Sequence, residues 1–325
     1  MRNDFWVDLF EKFGVLIFGL VAFAAVVGLV LFLADRAPKK GRDVIQLLVF
    51  LAPALILLIV GLVYPAVRTT WMAFTNQDGS IGFDNFIWMF TQPNTLVVLG
   101  NTLLWVALVP LLSTVIGLAY AVFIDRAYGE KTLKSLVFMP MAISFVGAGI
   151  IWRFMYEYRA TGFEQIGLLN QVMVWLGLEP QQWLINSPWN NVFLIIVMVW
   201  IQTGFAMVLF SAAIKAVPAE HLEAATLDGT NAWQRFLFVT LPSIRGTLVV
   251  VVTTITIATL KVFDIVRAMT GGQFNTSVIA NEMYTQAFKN GQAEQGAALA
   301  VVLFVMVLPI VIFNVVNMRK QREVR

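Results

Sequence analysis

The sequence predicts an all-α membrane protein, a polytopic bundle of about seven transmembrane helices with one sizeable cytoplasmic loop. Of its 325 residues 59% are hydrophobic and only 13% are charged, about half the roughly 25% that soluble domains carry. The apolar residues fall in long uninterrupted runs rather than alternating, which excludes closed β-barrel spans. Twenty-six Phe, ten Trp and a mean hydropathy of +0.80 exceed what one soluble core of this size needs. These features exclude a disordered chain and argue against a soluble globular enzyme. With no Cys there is no disulfide framework and no thiolate chemistry, and a single His removes His clusters.

Seven stretches reach the ~20 apolar residues that a spanning helix requires: roughly 14–34, 44–66, 96–124, 135–156, 192–214, 247–266 and 296–317. Pro53, Pro65, Pro110, Pro140 and Pro309 lie in or beside them and are expected to kink helices rather than end them. Ahead of the first span, Phe5, Leu9 and Phe13, with Trp6 and Phe10, suit an interfacial aromatic anchor. That leading segment carries Asp4, Asp8 and Glu11 against Arg2 and Lys12. It lacks the positive region of a signal peptide, so the first span reads as a retained helix.

Lys and Arg set the orientation. With 35–43 in the cytoplasm, the inner segments hold Arg36, Lys39, Lys40, Arg42, Arg126, Lys131, Lys134, Lys215, Arg235, Arg245 and the tail Arg319, Lys320, Arg322 and Arg325. The outer segments hold only Arg2, Lys12, Arg68, Arg159, Arg267 and Lys289. The positive-inside rule therefore puts the N-terminus outside and the C-terminus inside. Three organisational parts follow: 1–43 with the extra helix and a basic loop, 44–317 as the membrane domain, and a basic tail at 318–325. The long outer loops, 67–95, 157–191 and 267–295, are read either as a folded cap or as a docking surface.

The cytoplasmic loop 216–245 reads as two short helices. Pro218 suits a first turn, Glu220 to Ala225 are helix formers, and Gly229 falls where a left-handed C-cap belongs. Asn231 with Gln234 has capping-box spacing, and Pro242 is expected to stop the second helix. Glu-Ala-Ala alone is common. Here Glu223-Ala224-Ala225-x-x-Asp228-Gly229 is followed after nine residues by Val239-x-Leu241-Pro242, which resembles the EAA loop of permease subunits of binding-protein-dependent ABC importers. Gly82-Phe83-Asp84-Asn85-Phe86, Asn101-Thr102, Pro140, Ile151-Trp152, Gly167…Asn170, Trp183-Leu184 and Thr270-Gly271-Gly272 extend the likeness over about 45–317. The subgroup it resembles is the MalF-like permease of maltose, α-glucoside and trehalose importers. The extra first helix departs from the six spans of many members.

The resemblance implies that helix 219–228 lies in a groove of a cytoplasmic ATPase dimer. Small Ala224 and Ala225 would allow close approach, Glu223 would pair or cap, and Asp228, Gly229, Leu241 and Pro242 would shape a lever. The chain has no GxxxxGK[ST] phosphate loop, so ATP hydrolysis is expected in another polypeptide. Ionisable groups inside a bilayer are functional candidates by default. Lys261 and Asp264 in the sixth span are expected on one helical face, either lining a solute path or forming a structural pair. Trp200, Gln202 and Phe205 in the fifth span offer rings and an amide that suit sugars, though an interhelical or lipid-facing Trp is equally consistent. The resemblance places a sugar site on these two helices. There Trp200 matches the family's Trp, Thr254 a small hydroxyl, and Lys261 replaces an amide. Met141 and Trp152 are further candidates, and His221 reads as solvated.

The resemblance thus implies a non-catalytic subunit of the bacterial or archaeal inner membrane. It would move an α-glucosidic di- or oligosaccharide by alternating access, with a second homologous permease, an ATPase dimer and an extracytoplasmic sugar-binding protein. No cofactor, metal or nucleic acid is expected beside membrane lipid. Other solutes such as glycerol-phosphate share most of these motifs. A self-contained secondary transporter needs coupling carboxylates and often repeats, and here only Asp264 is a convincing intramembrane carboxylate. An intramembrane His-dependent enzyme lacks its His, and neither alternative explains 223–242.

Overall fold

The computed structural model describes the backbone of residues 2–36, 42–125 and 127–323, and side chains from 11 to 317 within those ranges. The aromatic anchor at 5–10, Lys39, Lys40, Arg126 and the basic tail lie outside the described side chains. Two compact units result, Met1–Thr69 and Thr70–Arg325.

The first unit holds α1 (Arg2–Asp35) and most of α2 (Arg42–Ala73). Both are apolar around their whole circumference and none of their most apolar stretch is buried, the pattern of helices solvated by lipid. The 25 residues of Glu11–Asp35 give about 38 Å, enough to cross a hydrocarbon core of about 30 Å. Gln46 Nε2 donates to the Ala34 carbonyl at 3.1 Å, tying the two helices together. Pro65 has no N–H and crowds the carbonyl four residues back. The helix accommodates this by widening to a π-turn over Ile59–Val63, where Tyr64 N–H reaches Ile59 O.

The second unit is the bundle proper. It comprises α3 (Asp84–Thr91), α4 (Pro93–Ile124), α5 (Glu130–Phe138), α6 (Phe145–Met155), α7 (Leu168–Trp175) and α8 (Trp189–Lys215). The short helices α9 (Ala219–Leu227) and α10 (Ala232–Ser243) follow. The chain closes with α11 (Arg245–Leu260), α12 (Asp264–Met269), α13 (Ile279–Tyr284) and α14 (Ala293–Glu323). No β-strand occurs among the described residues, only a bridge between Thr75 and Ile81. The core lies where α4 crosses α8: Trp105, Leu194, Met198, Met207 and Phe210 are fully buried, joined by Ile255 of α11 and Ile265 of α12. Gly117 permits that crossing, because a Cβ there would sit 2.5 Å from the Ala206 Cβ. Polar contacts between helices supplement the packing: Asn314 Nδ2 donates to Thr253 Oγ1 at 2.8 Å, and Ile279 N–H to Thr102 Oγ1 at 3.0 Å.

Among the described residues five helices are long and apolar enough to cross a membrane, and up to seven spans result if two bent pairs each count as one. The expected continuous spans at 135–156 and 247–266 are both broken. The fourth turns by 103° between Ala142 and Phe145, so Pro140 sits at a true break, inside a 3-10 turn, rather than at a kink. Ser144 then caps α6 by accepting from Gly147 N–H at 3.1 Å. The sixth span ends at Leu260, and the chain restarts as α12 at Asp264. Lys261 and Asp264 therefore do not share a helical face. Non-helical backbone at such a place is tolerated where protein buries it or a cavity borders it, and Val262 is buried.

Candidate functional site

The 216–245 loop is built almost wholly from local bonds. Helix α9 closes with Gly229 at φ 76. Gly229 N–H reaches Thr226 O at 3.1 Å and Thr230 N–H reaches Ala225 O at 3.2 Å, the paired pattern of a left-handed glycine terminus. Asn231 then opens α10 with a reciprocal box: its Oδ1 accepts from Gln234 N–H at 2.8 Å and its own N–H donates to Gln234 Oε1 at 2.9 Å. Arg235 Nη1 donates to Thr226 Oγ1 at 2.6 Å and fixes the angle between the two helices.

Between them Leu222, Glu223, Thr226, Leu227 and Arg235 border an open groove of about 610 Å3. Glu223, Ala224, Asp228 and Gly229 are exposed, whereas Ala225 is buried. Leu227 is 90% exposed and Trp233 65%, large apolar groups of the kind that mark interaction surfaces when they cluster. Pro242 does not stop the second helix where expected. The run widens to a π-turn at Phe236–Thr240, passes through Pro242 and ends at Ser243, before a 70° bend into α11. Leu241 packs against the main core and Ile244 is buried there, so the motif's end is the hinge that ties α10 to the bundle.

Beside this loop sits a group of charges that the sequence reading missed. Lys134 Nζ lies 2.5 Å from Asp125 Oδ1 and 2.7 Å from Glu130 Oε1. Lys215 also pairs with Glu130, and Ser211 Oγ donates to Asp125 Oδ1 at 2.7 Å. The ends of α4 and α8 and the start of α5 are thereby joined at the root of the loop.

The solute candidates converge less well. About 100° per residue puts Gln202 and Phe205 on one side of α8 and Trp200 on another. Gln202 is buried, Trp200 and Phe205 are half-buried, and Thr254 and Lys261 are exposed. What Trp200 does meet is Trp152, edge-on at 5.6 Å, and from there rings continue. Trp152 to Tyr156 is 5.3 Å, Tyr156 to Trp183 is 6.3 Å, and Trp183 to Phe193 is 4.8 Å. The chain of rings leads to the end of the bundle remote from α9, where Asn170, fully buried, organises the 157–183 loop. Its Nδ2 donates to Glu157 O at 2.8 Å, and its Oδ1 accepts from Gln181 N–H at 2.8 Å and Trp183 Nε1 at 2.9 Å. At the same end Asn85 donates to Ala73 O and Thr75 O, and Phe74, Phe83 and Phe86 cluster within 5.0–6.1 Å. The 82–86 signature thus holds the α2–α4 connection together.

The described residues thus form a helical bundle with broken spans, and its 216–245 loop presents an exposed short helix and a groove. Residues 113–323 match the family described as binding-protein-dependent transport system inner membrane component, and the chain belongs to that family. It is 49% identical over 275 residues, 84% of this chain and 82% of the relative, to the alpha-glucoside transport system permease protein AglF of Rhizobium meliloti. It is 44% identical over 278 residues, 85% and 100% of the two chains, to the osmoprotective compounds uptake permease protein GgtC of Synechocystis. Among solved structures, a bacterial ABC transporter involved in the import of the acidic polysaccharide alginate matches with a TM-score of 0.75 at 25% identity, covering 86% of this chain and 98% of the other. The chain is therefore a transmembrane transport component of the inner membrane.

Proposed function

We propose that the chain is the non-catalytic permease subunit of an ATP-driven importer for an α-glucosidic di- or oligosaccharide such as maltose or trehalose. The reading rests on the exposed α9 with its groove, together with 49% identity to an alpha-glucoside permease. A cytoplasmic ATPase dimer receives α9. Exposed Ala224 lets it approach, whereas Ala225, expected on the same contact, is buried and packs α9 onto this chain itself; Glu223 supplies an acceptor at the groove, and Asp228 with Gly229 turns the chain into α10. Leu241 and Pro242 hinge that arm on the bundle, so closure of the ATPases swings the spans between outward and inward openings. Sugar passes Trp200, Gln202 and Phe205 of α8, with Thr254, Lys261 and Asp264 supplying polar groups from the broken sixth span. A second homologous permease completes the path, and an extracytoplasmic sugar-binding protein delivers the solute. The N-terminus is outside and the C-terminus cytoplasmic, as the Lys and Arg distribution supports.

The test is to purify the tagged chain from solubilised membranes and identify what accompanies it. An ATPase and a second permease are expected, with ATP-dependent maltose uptake once the complex is in liposomes with its binding protein. A chain that purifies alone and transports without ATP would sink the reading and favour a secondary transporter. Uptake of an osmoprotective solute in place of maltose would keep the class and change the substrate.

A further inference from the structure

At the end of the bundle remote from α9 lies a cavity of about 470 Å3, bordered by Arg153, Tyr156, Glu157, Trp183, Arg267 and Gln273 among others. Its size falls within the ~300–1,000 Å3 of small-molecule sites. Three independent features single it out. First, two of the linked rings, Tyr156 and Trp183, form part of its wall, and the ring contacts run on through Trp152 to Trp200.

Second, another wall is the 270–277 loop, where Phe274 and Asn275 hold φ of 57 and 60 without being glycine. Such conformations cost free energy and concentrate at ligand clamps. Three asparagines impose them: Asn190 Nδ2 donates to Phe274 O at 2.7 Å, Asn191 Nδ2 to Asn275 O at 3.1 Å, and Asn101 Nδ2 to Asn275 O at 2.7 Å. Third, two guanidinium groups, those of Arg153 and Arg267, stand at its border, the latter held 4.7 Å over the Tyr284 ring.

We propose that this cavity is a second sugar site, an entry subsite that holds one pyranose ring of the solute before it reaches Trp200. A pyranose offers an apolar C–H face to the half-buried Trp183, which the buried Tyr156 ring backs from within the core. Its hydroxyls both donate and accept, which suits a border that mixes guanidinium donors with the Glu157 carboxylate and the Gln273 amide. The strained loop keeps that border in place before the solute arrives, so little ordering cost is left to binding. A protein side chain docking from outside has no use for a file of rings leading inward, which is why a solute is the favoured occupant. The proposal rests on the α-glucoside reading above and adds a site that is separate from α8 and the sixth span.

The chain has no cysteine, so Gln273→Cys, at an exposed position, gives it a unique thiol. The complete importer carrying this change is treated with a membrane-impermeant thiol reagent, with and without maltose, and labelling of this chain is read by mass. Maltose at about ten times its dissociation constant is expected to slow labelling about tenfold, because only the empty site reacts. Mannitol, an open-chain polyol without a ring face, is expected to leave the rate unchanged. The same protection is expected when Trp200→Ala is added. Unchanged labelling in a complex that still imports maltose overturns the subsite alone. So does protection that vanishes with Trp200→Ala, which assigns the effect to the inner site, and so does equal protection by mannitol. A complex that neither imports nor responds to maltose overturns the α-glucoside reading and, with it, the occupant assigned here.

Discussion

Two segments at opposite ends of the bundle are held by different kinds of bond. Within the 216–245 loop, the glycine terminus of α9 and the box at Asn231 join residues three to five apart, and Arg235 to Thr226 spans nine, while bonds of 85 and 86 residues appear only at its root, from Lys215 to Glu130 and from Ser211 to Asp125. At the opposite end, the ties of the 270–277 loop to Asn101, Asn190 and Asn191 span 84 to 176 residues. Local bonds make a loop that keeps its shape while it moves as a body, which is what an arm between an ATPase and the spans requires. Non-local bonds make a wall whose shape depends on the bundle being assembled, which suits a preformed solute site.

The largest effect is expected where a local bond carries transmission. Gly229→Pro cannot adopt φ 76 and removes the N–H that reaches Thr226 O, a local cost of about 3 kcal/mol or more. Uptake should fall to background while the amount of protein in the membrane, read by immunoblot, stays at wild-type level. Gly229→Ala grades the effect: the space around Gly229 is open, so only the left-handed backbone is penalised, by roughly 1–2 kcal/mol. Wild-type uptake by the proline variant would break the link between this turn and transport.

At the other end Asn190→Ala removes the donor to Phe274 O inside the protein. Leaving that carbonyl unpaired should cost about 1–3 kcal/mol, seen as a lower melting temperature of the solubilised complex. Because the loop borders the cavity, the solute concentration for half-maximal uptake should rise as well. Asn231→Ala is the cytoplasmic counterpart. Loss of a cap costs about 1 kcal/mol, and since the residue is exposed the expected change is fraying of α10, read as faster amide exchange over 232–236 with little change in melting temperature. Equal thermal losses in both variants would remove the contrast between the two ends.

The same distinction decides what was legible in the sequence. Gly229 and the Asn231–Gln234 box were readable because each is a short-range pattern whose partner lies within five residues. The seven apolar stretches were readable because burial in lipid needs only composition and length. The breaks at 143–144 and 261–263 were not: Pro140 and Ser144 beside the first, and Lys261 and Asp264 around the second, are compatible with a kinked span as well as with a broken one. The sequence likewise offered Asn101 only as part of the Asn101-Thr102 signature, did not single out Asn190 or Asn191, and gave no sign that Phe274 or Asn275 is left-handed. Arg267 was legible only as an outer charge, and only folding brings it and Arg153 to one cavity. Trp200 and Trp152 were each singled out, but that their rings meet depends on the 103° turn after Ala142.

The smallest predicted effect tests whether locality or location matters. The 75–82 turn is remote from α9, yet apart from the Gln77 amide, which donates to Gln292 Oε1, its bonds are local. The Asp78 carboxylate accepts from Ser80 N–H at 2.9 Å and from Ser80 Oγ at 2.6 Å. The hydroxyl bond first, then the backbone bond, holds the Asp78 carboxyl below its usual range. A carboxyl lowered on folding lends stability that is present above its unfolded value and lost as pH falls through the lowered folded value. Ser80→Ala removes the stronger bond, so the carboxyl should move back up and the turn should loosen at a higher pH than in wild type. Asp78 is fully exposed, so the shift should appear in the acid limb of local amide exchange at 78–82, with no measurable change in uptake or in global melting. If the change instead reached the 270–277 loop, the two outer segments would be coupled, and place in the bundle rather than bond length in sequence would set how far a perturbation travels.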